Sequence, residues 1–471
     1  MLEILVKWQP EQLSTFRNET SCIFLKDERF PFEKCDEILL KFLKREFKRF
    51  KDAVVKWTMH PWERDARMAR KALKRGSQAY GLLIELACTR SSDELLGARR
   101  AYQSLYSESR KTLLAELKAS NARYHLLLKH VKKATILVAS IKRRKKKTNE
   151  EGRKIMSLPN ESRTLTKAFS GILGVDEKSM MEILVKWHPE DLTTFRNENS
   201  SIFLKDKYFL FERWQDYHIA FLVKEFLRFQ DVVVQWTMHP WERDARMARK
   251  ALDGHPQAYG LLIELACTRS SDELLGARKA YQSLYGESIE EDVASRVEGI
   301  ERQLLVALVS TYRYEGSRIN DVAVRAEAIK LGITINRHGD KKKLFKDEET
   351  VRILATRSKP HLKAVFKCYK ETFNKNIEED LDETSLKDTI YCLYAPSMYF
   401  SKILDSAMKA NANEDEKEAL TRVIVTRANV DIKDIAEKYN KQYGTPLTKK
   451  IEDVALGNYK DFLVTLVQRA G

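Results

Sequence analysis

Cysteine is scarce and unpatterned: there are six in 471 residues, with no CxxC pair. That excludes a dense disulfide framework and fits reduced thiols in a cytosolic protein. Glycine (17) and proline (10) are also few, so little interrupts helix formation. Long hydrophobic runs are missing. The longest, Ala134–Ile141, falls short of the roughly 18 apolar residues that a membrane span needs. The N-terminus lacks the charged-then-apolar order of a signal peptide. Nor does the chain contain GxxxxGK[ST], HExxH or a defensible Ser/His/Asp or Cys/His grouping, so an enzyme is not expected. What remains is 43% hydrophobic and 32% charged, the composition of a soluble globular chain with room for about three domains.

The chain writes one stretch twice. Trp57–Tyr106 and Trp236–Tyr285 carry nearly the same text, and the match runs without a gap from Met1–Ser109 onto Met180–Ser288, a constant offset of 179 with 29 differences in 109 positions. Cys22 and Cys35 correspond to Ser201 and Trp214, so neither reads as half of an essential pair. Apolar residues recur at three- and four-residue spacing over Leu2–Trp8, Ile38–Val55 and Ala79–Ala87, which predicts amphipathic helices. The first copy stops after Ser109, so Leu82, Leu83, Leu86 and Ala87 are expected to lack the partners their counterparts have.

The net charge of +16 is unevenly placed. Residues 110–155 hold 15 Lys+Arg against 3 Asp+Glu, or +12, leaving +4 for the rest. That pattern argues against a nucleic-acid-binding surface spread over the protein and for one basic linker. Within it Thr112–Val131 has helical spacing, and Lys142-Arg143-Arg144-Lys145-Lys146-Lys147 forms a block. The block is a candidate anionic-surface patch or localisation signal, weighed against the commoner solvated linker.

Beyond Met156 an internal repeat can be counted. Thr268-Arg269, Thr356-Arg357 and Thr426-Arg427 close apolar runs, and each arginine is followed 17 residues later by Gly286, Asn374 or Gly444. Those residue types tolerate the left-handed conformation that ends helices. Tyr285, Phe373 and Tyr443 precede the terminators, with Tyr281, Tyr369 and Tyr439 four residues earlier on the same face. A less regular repeat, marked by Lys186-Trp187, precedes these. The spacing predicts an all-α array in which Arg269, Arg357 and Arg427 tie helix ends to carbonyls or acids across repeats. His188 and His239 each precede a proline, which suits a helix entry better than catalysis.

Four repeats of about 70 residues, the T-R-[SA] helix ends, W-T-M-H-P-W-E-R-D-A, Tyr312-Arg313-Tyr314-Glu315-Gly316 and Gly457-Asn458-Tyr459-Lys460-Asp461-Phe462-Leu463 together resemble a plant annexin. The likeness covers 156–471 throughout and 1–109 in part. It implies repeats at 156–239, 240–316, 317–396 and 397–471, each of five short helices. Ahead of them stand a partial duplicate of repeats 1 and 2 at 1–109 and the linker at 110–155. It also implies a cytoplasmic protein, peripheral at membranes, that binds anionic phospholipid through calcium ions.

Calcium needs about six to eight oxygens. The family's K-G-x-G-T-D loop supplies backbone carbonyls, and an acid about forty residues on completes the site. This sequence departs from that pattern. Repeat 1 keeps Gly171 and Gly174 with Asp176, but Val175 replaces the hydroxyl, and Gln230 stands at the distal acid with Asp231 beside it. Its loop reads equally as a weak ion site or a helix–helix turn. Repeat 2 has Asp253-Gly254-His255-Pro256, and repeat 3 a cationic Lys341-Lys342-Lys343-Leu344-Phe345-Lys346. Repeat 4 offers Asn411, Asn413, Glu414 and, at the distal position, Asn458; Asn413–Glu418 reads more readily as a solvated helix start. The expectation is therefore weakly calcium-dependent binding to anionic phospholipid. The alternative is a calcium-independent helical scaffold for a protein or cytoskeletal partner.

Overall fold

The computed structural model describes residues 7–75, 80–106, 158–171, 173–206, 211–254, 256–299, 301–310, 312–337, 347–381 and 384–469. The first copy forms α1 (Pro10–Glu19), β1 (Phe24–Lys26), β2 (Glu33–Cys35), α2 (Glu37–Thr58), α3 (Pro61–Arg75), α4 (Tyr80–Thr89) and α5 (Ser92–Tyr106). Next come α6 (Leu158–Phe169) and α7 (Glu177–Leu184). The second copy then gives α8 (Pro189–Glu198), β3 (Phe203–Lys205), β4 (Glu212–Trp214), α9 (Asp216–Thr237), α10 (Pro240–Asp253), α11 (Gly260–Thr268) and α12 (Ser271–Tyr285). The array continues as α13 (Ile289–Arg296), α14 (Arg302–Ser310), α15 (Asp321–Arg337), α16 (Glu348–Thr356), α17 (Lys359–Phe373), α18 (Thr384–Tyr394) and α19 (Pro396–Ala407). It ends with α20 (Glu414–Arg427), α21 (Ile432–Tyr443), α22 (Leu447–Val454) and α23 (Gly457–Gln468). The fold is all-α, as expected. Two small antiparallel hairpins, pairing Phe24 with Cys35 and Phe203 with Trp214, were not foreseen. Three-residue strands are too short to show alternation. The expected helices at Leu2–Trp8 and Thr112–Val131 lie wholly or largely outside the described residues, as do Lys142–Lys147.

The punctuation read from the sequence does what its chemistry implies. Gly286, Asn374 and Gly444 sit at φ 77°, 54° and 70° after α12, α17 and α21. Tyr281, Tyr369 and Tyr439 are fully buried, and their hydroxyls donate to Asp292, Asp380 and Asp405. The aromatic one turn later packs on each, with ring centroids 4.8, 4.7 and 4.7 Å apart. Arg269 makes two hydrogen bonds to Asp244, Arg357 pairs with Glu327 and Arg427 with Asp431. These ties stay inside one repeat instead of crossing between repeats, because each acid lies near in sequence. His239 Nδ1 accepts from the Trp241 amide at 3.2 Å, and the His188 amide donates to Asp191, so both histidines open helices.

The described residues gather into two compact bodies. One takes them from Met1–Lys44, Ile172–Gly174 and Arg228–Gly471, the other from Arg45–Gly171 and Val175–Leu227. In the first body, α10 packs on α12, α11 on α18, and α19 on α20 and α21. It also carries ion pairs: Arg422 with the fully buried Glu264, Arg228 with Glu414, and, at the surface, Lys250 with Glu418. Burial pulls the Arg422 guanidinium down to about 10. In the second body α3 packs on α5. A large apolar cluster there joins Val54, Val55 and Met59 of the first copy to Phe169 of α6 and to Trp187, Phe195 and Trp214 of the second copy.

The same text finds different surroundings in the two bodies. Ile263 in α11 is 1% exposed, whereas its counterpart Ile84 in α4 is 41% exposed. Leu83 and Ala87 are half-buried where Leu262 and Ala266 are buried, but Leu86 is buried like Leu265 and Leu82 is half-buried like Leu261, so the expected loss of partners holds for only part of that face. The ion pair repeats with the same contrast: Arg269 and Asp244 side chains are 5% and 3% exposed, while Arg90, bound to Asp65 at 2.7 Å, is 25% exposed. Asp244→Ala therefore strands a buried guanidinium and should cost about 3–5 kcal/mol. Asp65→Ala leaves Arg90 a route to water and should cost about 1 kcal/mol. Denaturant unfolding of both variants checks this, and a larger loss from Asp65→Ala would contradict it.

Candidate functional site

The loop between α6 and α7 is shaped by packing. Leu173 forms a parallel bridge with Ala455: its amide donates to the Val454 carbonyl at 3.2 Å, and its carbonyl accepts from the Leu456 amide at 2.9 Å. Gly174 lies at φ 77°, and a Cβ there would stand 2.9 Å from the Leu456 carbonyl oxygen. Glycine is thus required by both conformation and space. Val175 is buried, which accounts for an apolar residue where the family pattern has a hydroxyl. Asp176 caps α7, accepting from the Ser179 amide at 3.1 Å and the Ser179 hydroxyl at 2.7 Å.

The distal position gives no free acid. Gln230, at 1% exposure in the middle of α9, has no hydrogen-bond partner for either side-chain polar atom among the described residues. Asp231 is half-buried, and desolvation holds its carboxyl above the usual range, with Lys44, Glu418, Arg228 and Lys250 the charges around it.

The fourth-repeat candidates are engaged as well. Asn413 caps α20, accepting from the Glu416 amide at 2.9 Å, while Glu416 reaches back to the Asn413 amide at 2.8 Å. Glu414 binds Arg228 at 2.9 Å and faces Lys417 at 3.6 Å. Asn411 is exposed in the turn before the cap, and Asn458 is the second residue of α23. In the second repeat Asp253 lies between Arg249 and Arg296, at 3.1 Å from each. The cationic loop at 341–346 lies outside the described residues.

No group of three or more His, Cys, Asp or Glu among the described residues is placed to hold a metal ion. The side chains assigned to calcium do not fit a tight site: two cap helices, one is paired with arginine and one is desolvated within a helix. Sequence reasoning also passed over Glu63 and Glu242, both fully buried near a helix start. Their signal was present, a carboxylate two residues after proline in text identical in both copies.

A family profile described as Annexin matches residues 243–308, 335–386 and 399–466. Annexin D4 of Arabidopsis thaliana is 42% identical over 320 residues, covering 67% of this chain and all of that relative. The chain belongs to the annexin family. Annexin D7 of the same plant is 36% identical over 323 residues, covering 66% of the chain and 95% of the relative. Among solved structures, chicken annexin V aligns over 67% of this annexin and 97% of its own length, at 24% identity and a TM-score of 0.46. Family membership carries calcium-dependent phospholipid binding at family level. No described helix of this annexin is long and apolar enough to cross a membrane.

Asp176→Ala should cost about 1 kcal/mol of stability through loss of the cap. Because the carboxylate is already occupied, the calcium dependence of lipid binding should not change. Thermal melting and vesicle sedimentation of the intact protein measure both. A shift of the calcium midpoint would place Asp176 on the ion instead.

Proposed function

We propose that this annexin is a peripheral, cytoplasmic binder of anionic phospholipid whose calcium dependence is weak. The observation that carries this reading is the engagement of the side-chain oxygens in the first- and fourth-repeat loops. Asp176 and Asn413 serve helix caps and Glu414 serves Arg228. Calcium affinity falls with fewer free anionic ligands, so an ion there would rely on backbone carbonyls and lipid phosphate. Affinity without lipid is then expected in the weak class of roughly 10⁻⁴–10⁻³ M. Isothermal titration of the full chain is the measurement, and micromolar binding would sink the proposal.

The same engagement favours a second reading, a helical scaffold that binds a protein or cytoskeletal filament without calcium. Sedimentation with phosphatidylserine vesicles and, separately, with actin filaments, each with calcium and with chelator, divides the two. Pelleting with vesicles supports the lipid reading; pelleting with filaments alone supports the scaffold.

We further assign the basic block Lys142–Lys147 to the lipid surface on its charge alone. Polybasic residues contribute about 1 kcal/mol each near an anionic membrane, an effect that salt screens. Changing all six to glutamine should weaken vesicle binding at low salt and leave it unaltered at high salt. Equal binding of both versions at low salt would show the block to be inert.

A further inference from the structure

The two copies do not keep their own parts together. In the first body, the first copy's hairpin region docks on the second copy's α10. The Cys35 amide donates to Glu242 at 2.8 Å, Arg246 bonds Glu37 at 2.6 Å, and Arg17 reaches the Thr237 carbonyl at 3.4 Å. In the second body every one of these contacts recurs with the copies exchanged. The Trp214 amide donates to Glu63 at 2.9 Å, Arg67 bonds Asp216 at 2.7 Å, and Arg196 reaches the Thr58 carbonyl at 3.3 Å. Each pair maps onto the other through the 179-residue offset. So do the tip contacts: Asp27 meets the Ser283 hydroxyl, and Asp206 meets that of Ser104. Ring packing obeys the same rule, with Phe32 on His239 and Trp241, and Phe211 on His60 and Trp62.

The 17 residues Trp57–Leu73 and Trp236–Leu252 are identical in both copies, so each hairpin finds on the other copy the same receiving surface that its own copy carries. Exchange of identical elements is how domain-swapped dimers form; here both partners lie on one chain.

We propose that the partial duplicate is a working part of the array: residues 10–44 occupy the first-repeat position against α10, within one chain, in reciprocal exchange with residues 189–227 of the second copy. The segment is held at its beginning too, since Arg469 at the end of α23 donates to the Trp8 carbonyl at 2.6 Å and lies over the Trp236 ring. Leu173, which precedes the second copy, joins the same body through its bridge to Ala455. The first repeat of the array is therefore composite.

The test is thiol cross-linking of the full chain with a short bifunctional reagent, in a background where the exposed Cys22 and Cys88 are changed to serine. Asp27→Cys with Ser283→Cys reports the exchanged arrangement, and Asp206→Cys with Ser283→Cys reports each copy closing on itself. Linked peptides are identified by mass, and circular dichroism confirms that each variant is folded. The expected result is a 27–283 link in a species of monomer mass and no 206–283 link. A 206–283 link, a 27–283 link found only in dimers, or neither link in folded protein would overturn the proposal. Should the Asp27/Ser283 variant fail to fold, Asp206→Cys with Ser104→Cys reports the exchange from the other body, with the same outcomes. None of these readouts involves calcium or lipid, so the result stands apart from the membrane-binding reading.

Discussion

Two buried carboxylates hold this molecule in its arrangement. Glu63 and Glu242 are fully enclosed near the starts of α3 and α10, and each accepts a backbone amide from the hairpin of the opposite copy. Each is also bound by the arginine one turn later. Burial pushes the Glu63 carboxyl up to about 7 and raises Glu242 in the same direction, while the paired arginines pull both back. A buried amide without its acceptor costs about 1–3 kcal/mol. The hairpin and the helix are thus satisfied together or not at all, within each body.

Much of the array was legible. The arginine, tyrosine and terminator series fixed the helix ends because those residues act locally: a left-handed glycine or asparagine, a tyrosine one turn before an aromatic, an arginine near an acid. The family followed from longer strings of the same kind. The partners of the first copy were not legible, because identical text cannot say which copy it pairs with. That choice shows only in the contacts within each body, where the Cys35 amide meets Glu242 and the Trp214 amide meets Glu63. The two hairpins were missed because each strand is only three residues long.

The calcium loops show how far composition alone can be read. Their degraded glycine pattern was visible, but the present employment of the remaining polar residues was not. Asp176 and Asn413 look like ligands in a string of letters and act as caps in the fold, since a carboxylate or amide preceding a helix has orphan amides within reach. Gly174 survives for a reason of its own. The Leu456 carbonyl crowds the space a side chain would need, so its retention reports packing against the last repeat and says little about an ion.

The 29 differences between the copies are not scattered evenly. Fourteen fall within residues 28–48, and none within 57–73. The variable stretch forms the hairpin tip and the start of α2, where the key donor is the backbone of residue 35. Cysteine in one copy and tryptophan in the other can therefore present the same N–H. The invariant stretch is the surface that receives it. A substitution there is inherited by one copy but felt by the hairpin of the other, so the two halves of the gene product cannot drift independently at that surface. Redundancy ordinarily relaxes selection on a duplicate; trading hairpins converts the spare into an obligate counterpart.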